Sequence, residues 1–150
     1  MFNCQLAVCG KIDCKALSPR TRYGAYLVYK LTEISDDQYH RHPIGQIRQR
    51  TSVIVGKNIT KRTVYLEPNY DKYVRKIFSE WKIAYEDSEF DNKETISAKE
   101  RDDGWIEVEI GEFYIEKDED GEVQMKLEED NAQGLKSGII IEGIEIRPMN

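Results

Sequence analysis

The strongest strand pattern in the chain lies within residues 101–113. Its apolar positions alternate with glutamates, and they are Ile106, Val108 and Ile110. This period of two predicts a strand with one buried face. Asp103-Gly104 before it has the composition of a turn. Gly111 interrupts the alternation, and we expect a bulge there that returns Phe113 to the buried side. Trp105 has the parity of Glu107 and Glu109, so its ring is not expected to point into the core.

Six other segments have the composition or the alternation of strands. They are Gln5–Ile12, Tyr23–Leu31, Thr51–Val55, Arg62–Leu66, Glu122–Glu128 and Lys136–Pro148. Tyr23–Leu31 is apolar on both faces, which predicts a place in the middle of a covered sheet. In Glu122–Glu128 the apolar side chains are expected to point inward, and they are Val123, Met125 and Leu127. A bulge at Glu142-Gly143 would bring the isoleucines of the last segment onto one face.

The connecting segments are polar or rich in turn residues. Thr32–Arg50 is predicted as a long loop, and Gly56–Lys61 as the connection of a hairpin. The hairpin connection contains Asn58-Ile59-Thr60, which matches the glycosylation sequon. We interpret it as part of a loop, because the first residues lack the pattern of a signal peptide. Asp71–Glu86 fits both periodicities, and we favour a short helix over Asp71–Ser79 followed by a strand over Trp81–Tyr85.

Short strands separated by turn signals predict an all-β fold. The expected architecture is an antiparallel β-sandwich with at most one short helix. The length of 150 residues fits one domain over 1–150 with a sizeable core. No apolar run approaches the roughly 20 residues that a membrane-spanning helix needs.

Composition narrows the classes of function. Cys4, Cys9 and Cys14 are odd in number and lack the spacing of a zinc site or a disulfide framework, which suits a reducing compartment. The net charge is −6, with a basic first half and an acidic second half. The two halves could attract each other within the domain, could pair head to tail in a dimer, or could be solvated strand faces. No dense basic block or nucleic-acid motif occurs, so we expect neither nucleic-acid nor membrane partners.

Catalysis is not expected. Glu107 and Glu109 occupy neighbouring outward positions on one strand, whereas glycoside hydrolysis needs two carboxyl groups that face each other across a cleft. His40 and His42 flank Arg41 in a polar segment without the spacing of a metal or nucleophile motif. We therefore expect no enzyme activity, no metal and no cofactor.

Three blocks of sequence resemble a known family. They are Cys9–Asp13 with Tyr26–Leu31, Arg101–Phe113, and Asp120–Met125 with Lys136–Pro148. The combination of DGWxExxxGEF with KSGxxxxGxxIRP is specific, and it resembles the plant phloem protein 2 family, also called Nictaba-like lectins. The blocks cover a little under half of the residues but span nearly the whole chain.

The resemblance implies a jelly-roll-like sandwich that binds N-acetylglucosamine oligomers or N-glycan cores without catalysis, often as a homodimer. It also implies a cytoplasmic and nuclear location in plant cells, with roles in phloem, stress and defence. Some members carry an N-terminal F-box and are thought to select glycoproteins for ubiquitination. Members usually have a further N-terminal segment with tryptophans implicated in sugar binding. The chain begins after that segment, so we expect a shortened domain without those tryptophans and without an F-box.

The candidate sugar-binding residues are two tryptophans and two glutamates. A saccharide site needs an aromatic face for the C–H surface of the sugar and fixed polar groups for its hydroxyl and N-acetyl groups. Trp105 and Trp81 are candidate platforms, and Glu122 and Glu129 match positions proposed to contact sugar in the family. Each has a structural alternative. Trp105 could pack beneath the Lys117–Gly121 loop, Trp81 could lie in the core, and both glutamates could be solvated residues on the polar face.

Two functions therefore remain open. The first is a lectin that recognises glycans or glycoproteins containing N-acetylglucosamine. The second is a protein-interaction domain, or a fragment of an F-box-type glycoprotein receptor, that has kept the sandwich and lost the sugar site. The orientation of Trp105 and Trp81 discriminates between them. An exposed ring beside a carboxylate supports the lectin, and two buried rings support the interaction domain.

Overall fold

Two β-sheets face each other in the computed structural model of the protein, which describes residues 6–32, 42–70, 96–129 and 136–149. The strands are β1 (Ala7–Asp13), β2 (Thr21–Leu31), β3 (His42–Pro43), β4 (Gln49–Val55), β5 (Asn58–Tyr65), β6 (Ile96–Ser97), β7 (Lys99–Glu100), β8 (Ile106–Ile115), β9 (Glu122–Glu129), β10 (Lys136–Ser137) and β11 (Ile139–Pro148). Two 3-10 turns lie at Cys14–Ala16 and Ile44–Gln46.

The strand order confirms the prediction of an all-β sandwich. One sheet has the order β1-β9-β4-β5-β6 and the other has the order β11-β2-β8-β7. The long strands pair antiparallel, while the two-residue strands β6 and β10 pair parallel with β5 and β3. The core lies between the sheets, and its apolar side chains come from the inward faces of β2, β4, β8 and β9. Within the described ranges, no helix is long and apolar enough to cross a membrane.

Strand β2 occupies the centre of the four-stranded sheet, as its two apolar faces predict. It pairs with β11 on one side and with β8 on the other. Leu27 and Tyr29 are fully buried on the inward face, and Val28 is buried on the outward face. A strand with polar residues on its outer face would not need other side chains to cover that face.

The bulge predicted in β8 is present, at Ile110 beside Gly111. Ala25 of β2 pairs with Gly111, and the next residue, Tyr26, pairs with Glu109, so Ile110 is the extra residue. A Cβ atom at Gly111 would lie 2.8 Å from a methyl group of Val53 in the opposite sheet. Glycine therefore lets the two sheets approach at this point. Phe113 returns to the core and stacks on Tyr23, with 5.6 Å between ring centroids.

Strand β11 also has its predicted bulge. The register passes from Ile141 to Gly143 and leaves Glu142 without a paired residue on β2. The isoleucines on both sides of the bulge then pair with inward residues of β2. Ile139, Ile144 and Ile146 pack against the core. Ile141 differs from expectation, because its side chain is 37% exposed at the sheet edge.

Several predicted boundaries are wrong. β4 begins at Gln49, and residues 42–46 form a short strand and a 3-10 turn, so Thr32–Arg50 is not one continuous loop. The hairpin turn consists of Gly56 and Lys57 alone, because Gly56 has a φ of 59° and Val55 pairs with Asn58. The Asn58–Thr60 tripeptide therefore lies in β5 and not in a loop. The predicted helix Asp71–Ser79 and strand Trp81–Tyr85 lie outside the described residues.

The hydroxyl group of Tyr29 donates a hydrogen bond to the backbone carbonyl of Leu66, and both residues are buried. Replacing Tyr29 with Phe would leave that carbonyl unsatisfied. We expect a loss of about 1–2 kcal/mol in the free energy of unfolding, measured by urea titration. Replacing the partly exposed Tyr26 with Phe is the comparison. An equal loss in both variants would contradict the importance of the buried bond.

Candidate functional site

An open groove of about 370 Å³ lies on the outer side of the four-stranded sheet. Three parts of the chain form it: β2, the turn between β7 and β8, and the bulge of β11. The lining residues are Val28, Arg101, Asp103, Trp105, Glu142, Gly143, Ile144 and Glu145. Buried Val28 contributes an apolar surface, while most of the other side chains are charged or aromatic.

The turn at residues 101–105 fixes the position of Trp105. The amide of Arg101 donates to the carbonyl of Trp105 at 2.7 Å, which closes the turn. The amide of Trp105 donates to Oδ1 of Asp103 at 3.0 Å. Gly104 has a φ of 88°, a conformation that disfavours residues with a side chain. Asp103, Gly104 and Trp105 thus each contribute to the geometry of this turn.

The Trp105 ring is partly exposed and does not belong to the core. The ammonium group of Lys30 lies 4.4 Å from the ring centroid, which is a cation–π contact. The alternative placement beneath the Lys117–Gly121 loop is wrong. That loop follows the far end of β8, and the ten residues of this strand separate the two sites by about 30 Å.

Ion pairs connect the groove to the outer face of the sheet. The guanidinium group of Arg101 lies 3.0 Å from Oδ2 of Asp103 and 3.2 Å from Oε2 of Glu145. Arg147 makes two hydrogen bonds to Glu107, at 3.2 and 2.6 Å. These bonds raise the pKa of Arg147, so this cation stays charged. The side chains of three segments therefore support one another around the groove.

Arg147 also covers β2. Its guanidinium carbon lies 3.7 Å from the ring centroid of Tyr26. The Tyr26 ring lies over Gly24, where a Cβ atom would be 2.6 Å from the Tyr26 hydroxyl. Side chains from β2 and β11 therefore provide the outer cover that the apolar pattern of β2 requires.

The structure does not bring Glu122 and Glu129 to the groove. They lie at opposite ends of β9 in the five-stranded sheet, about 23 Å apart for a strand of this length. Glu122 is exposed, whereas Glu129 is 1% exposed. Oε1 of Glu129 accepts a hydrogen bond from the amide of Leu6 at 2.9 Å. The interpretation of Glu129 as a solvated residue is therefore wrong. Its parity is that of Leu127, a core residue, and this signal was available in the sequence.

The Trp105 ring is partly exposed, so it matches neither the exposed nor the buried alternative fully, and it lines the same groove as three carboxylates, those of Asp103, Glu142 and Glu145. Trp81 lies outside the described residues. Sequence reasoning missed the roles of Arg101, Glu145 and Arg147. Once the β11 bulge is placed, the inward direction of Ile144 and Ile146 predicts that Glu145 and Arg147 point outward. Their partners on β8 could not be deduced from this alternation.

Comparison with known proteins identifies the family. A family model described as phloem protein 2 matches residues 2–148. Three proteins of Arabidopsis thaliana are similar over nearly the whole chain. F-box protein PP2-B13 is 37% identical over 97% of this chain and 51% of its own length. F-box protein PP2-B15 is 36% identical over 95% of this chain and 50% of its own length. F-box protein VBF is 37% identical over 96% of this chain and 51% of its own length. The chain thus spans about half the length of these curated relatives. It belongs to the phloem protein 2 family.

Proposed function

We propose that the chain is a carbohydrate-binding domain, a lectin without catalytic activity, that holds glycans containing N-acetylglucosamine beside Trp105. The observation that supports this proposal is the partly exposed Trp105 ring in a groove with three carboxylates. An indole ring can pack against the C–H surface of a sugar. Carboxylate oxygens can accept hydrogen bonds from sugar hydroxyl groups and from the amide of an N-acetyl group.

The size and rigidity of the groove suit a short saccharide. A cavity volume of about 370 Å³ is within the range of small-molecule sites, about 300–1,000 Å³. The ring is held by a hydrogen-bonded turn, and Asp103 and Glu145 are held by Arg101. Groups that are fixed before binding lose little conformational freedom when a ligand arrives.

The proposal differs from the family expectation in the residues that contact sugar. A ligand beside Trp105 would not require Glu122 or Glu129, since both lie in the other sheet. Their role as sugar contacts stays a prediction. The hydrogen bond that the buried Glu129 side chain accepts from the Leu6 amide supports a structural role for Glu129.

The names of the relatives suggest a cellular setting. Since the curated relatives are named F-box proteins and the chain spans about half their length, we propose that this domain supplies glycan recognition for such a protein. Its partners would be glycoproteins that carry N-acetylglucosamine in the cytoplasm or nucleus of a plant cell. A homodimer would increase avidity for branched glycans.

Replacing Trp105 with Ala tests the function. We expect the wild-type chain to bind chitotriose saturably, and the variant to bind roughly tenfold more weakly because the stacking surface is lost. Calorimetry would measure the affinity, and a change in tryptophan fluorescence that is absent in the Trp105→Ala variant would report contact with this ring, since Trp81 also fluoresces. Glu128→Gln is the control, since Glu128 lies in the other sheet, where its side chain pairs with Lys126. If the folded wild-type chain gives neither heat nor a fluorescence change with chitotriose, the lectin proposal fails and the protein-interaction alternative replaces it.

A further inference from the structure

Trp105 has two neighbours on the outer face of β2. The first is Lys30, because Tyr29 pairs with Ile106 and the antiparallel register brings the next residue of β2 opposite the residue before β8. The second is Val28, which lies two positions before Lys30 on the same face, about 7 Å along the strand. The Trp105 side chain thus lies between a lysine and an apolar surface.

The groove lies on the Val28 side of the Trp105 ring. Val28 and Trp105 both line the groove, whereas Lys30 does not. The Lys30 ammonium is 4.4 Å from the ring centroid, so it lies against the ring face that is turned away from the groove. The opposite face of the ring is left for a ligand.

The hydrogen bonds of the turn fix the backbone of Trp105 but not the direction of its ring. They involve the amide and the carbonyl group of Trp105. Within the described ranges, the indole nitrogen makes no hydrogen bond. The Lys30 ammonium likewise makes no ion pair or hydrogen bond in the part of the chain that the structure describes, so the indole ring is its partner.

Rotation of the ring towards Val28 would fill the groove. Contact between two apolar surfaces removes both from water, which favours this rotation while the groove is empty. The attraction between the indole face and the ammonium group opposes the rotation, because the ring would have to leave the cation. A cation behind the ring therefore keeps the groove open and the free ring face available to a sugar.

We propose that Lys30 is a positioning residue of the saccharide site. It acts through the Trp105 ring and does not itself line the groove. Because Lys30 covers one face, the indole offers a single stacking surface, and the site holds one sugar ring against it. This inference rests on the proposed function of the groove.

Replacing Lys30 with Gln removes the charge and tests this role. We expect the variant to bind chitotriose about threefold more weakly in calorimetry, which corresponds to the loss of one exposed cation–π contact. Lys30→Arg is expected to restore the wild-type affinity, because a guanidinium group also binds an indole face. Lys11→Gln is the matched control, since it removes the same charge from an exposed position on β1 in the other sheet. It is expected to leave the affinity unchanged.

Nuclear magnetic resonance of the free protein reports the position of the ring. The spectrum of Trp105→Ala identifies the Trp105 indole signals, since Trp81 is the other tryptophan. We expect stronger nuclear Overhauser effects between the indole protons and the Val28 methyl groups in Lys30→Gln. Lys30→Arg is expected to keep the wild-type intensities, which a general loss of structure at this position would not do.

The outcomes separate this role from the function of the groove. If wild type binds chitotriose and Lys30→Gln binds it equally well, the positioning role is wrong and the lectin function stands. Tighter binding by Lys30→Gln would show that Lys30 shields the ring from the sugar, and an equal loss in Lys11→Gln would show an effect of net charge. Either result would overturn the proposal. If the folded wild-type chain does not bind chitotriose, the proposed function fails and the role of Lys30 fails with it.

Discussion

Replacing Arg62 with Met is expected to lower the free energy of unfolding by about 3 kcal/mol at neutral pH. Arg62 lies in β5 of one sheet, and Glu109 lies in β8 of the other. Nη1 of Arg62 is 3.2 Å from Oε2 of Glu109, and each side chain is 14% exposed. Methionine retains most of the apolar stem but removes the charge. The Glu109 carboxylate would then remain largely buried without its cation, and an uncompensated buried charge strongly destabilises the folded state.

The pH dependence distinguishes this mechanism from a loss of packing. Burial raises the pKa of Glu109, Arg62 opposes that rise, and Glu112 adds to it. A raised pKa in the folded state means that Glu109 favours folding below its unfolded pKa, and that this contribution is lost as the pH rises through its folded pKa. Without Arg62 the pKa of Glu109 should rise further. The penalty of Arg62→Met should therefore shrink as the pH falls from about 7 towards 5.

Urea unfolding of wild type and variant at the two pH values measures this change. Arg22→Met is the matched control, because Arg22 lies 3.9 Å from Glu112 but its side chain is 55% exposed. That pair should contribute less than about 0.5 kcal/mol. A loss for Arg62→Met that is the same at both pH values would indicate packing alone and would contradict the role of the buried charge.

Replacing Glu129 with Ala is expected to cost about 2–3 kcal/mol of stability and to leave the affinity for chitotriose unchanged. The carboxylate accepts a hydrogen bond from the Leu6 amide, and the Glu129 amide donates to the Leu6 carbonyl. These two bonds connect the beginning of β1 to the end of β9. Alanine would remove the acceptor of the partly buried Leu6 amide and would leave a cavity at a position that is 1% exposed.

Unfolding and sugar titration on the same samples separate the two roles of Glu129. Glu128→Ala is the control, since Glu128 faces outward and pairs with Lys126 at 3.3 Å. Glu129→Gln retains an oxygen that can accept the hydrogen bond, so it should fold even if the alanine variant does not. A variant of Glu129 with normal stability and weaker sugar binding would show that this residue contacts the ligand, as the family resemblance implies.

The sequence predicts the parts of the fold that depend on local alternation. Val123, Met125 and Leu127 are all buried, as their period of two requires. Both bulges were predictable, because Gly111 and Gly143 each stand where the alternation changes phase. The apolar outer face of β2 correctly indicated a central strand. In these segments the residue type, its parity and its neighbours all favour the same structure.

The errors and the omissions have a different physical origin. The composition of residues 56–61 predicts a hairpin turn that is too wide. Cross-strand pairing with β4 holds Asn58 and Thr60 in β5. The groove could not be assembled from local patterns. Its ion pair between Arg101 and Glu145 joins residues 44 positions apart. Only the pairing of β11 with β2, and of β2 with β8, brings these side chains together.

The late position of β11 in the chain has a consequence for folding. The groove needs residues 142–145, and these reach their positions only when β11 has paired with β2. The turn with Trp105 can form earlier during synthesis, but it then has only part of its surroundings. Ligand binding and the docking of β11 are thus thermodynamically linked, since a ligand held by both parts stabilises the docked state by mass action. In the amide hydrogen exchange of the bound protein, this linkage would slow the opening of the last strand more than that of β9 in the other sheet.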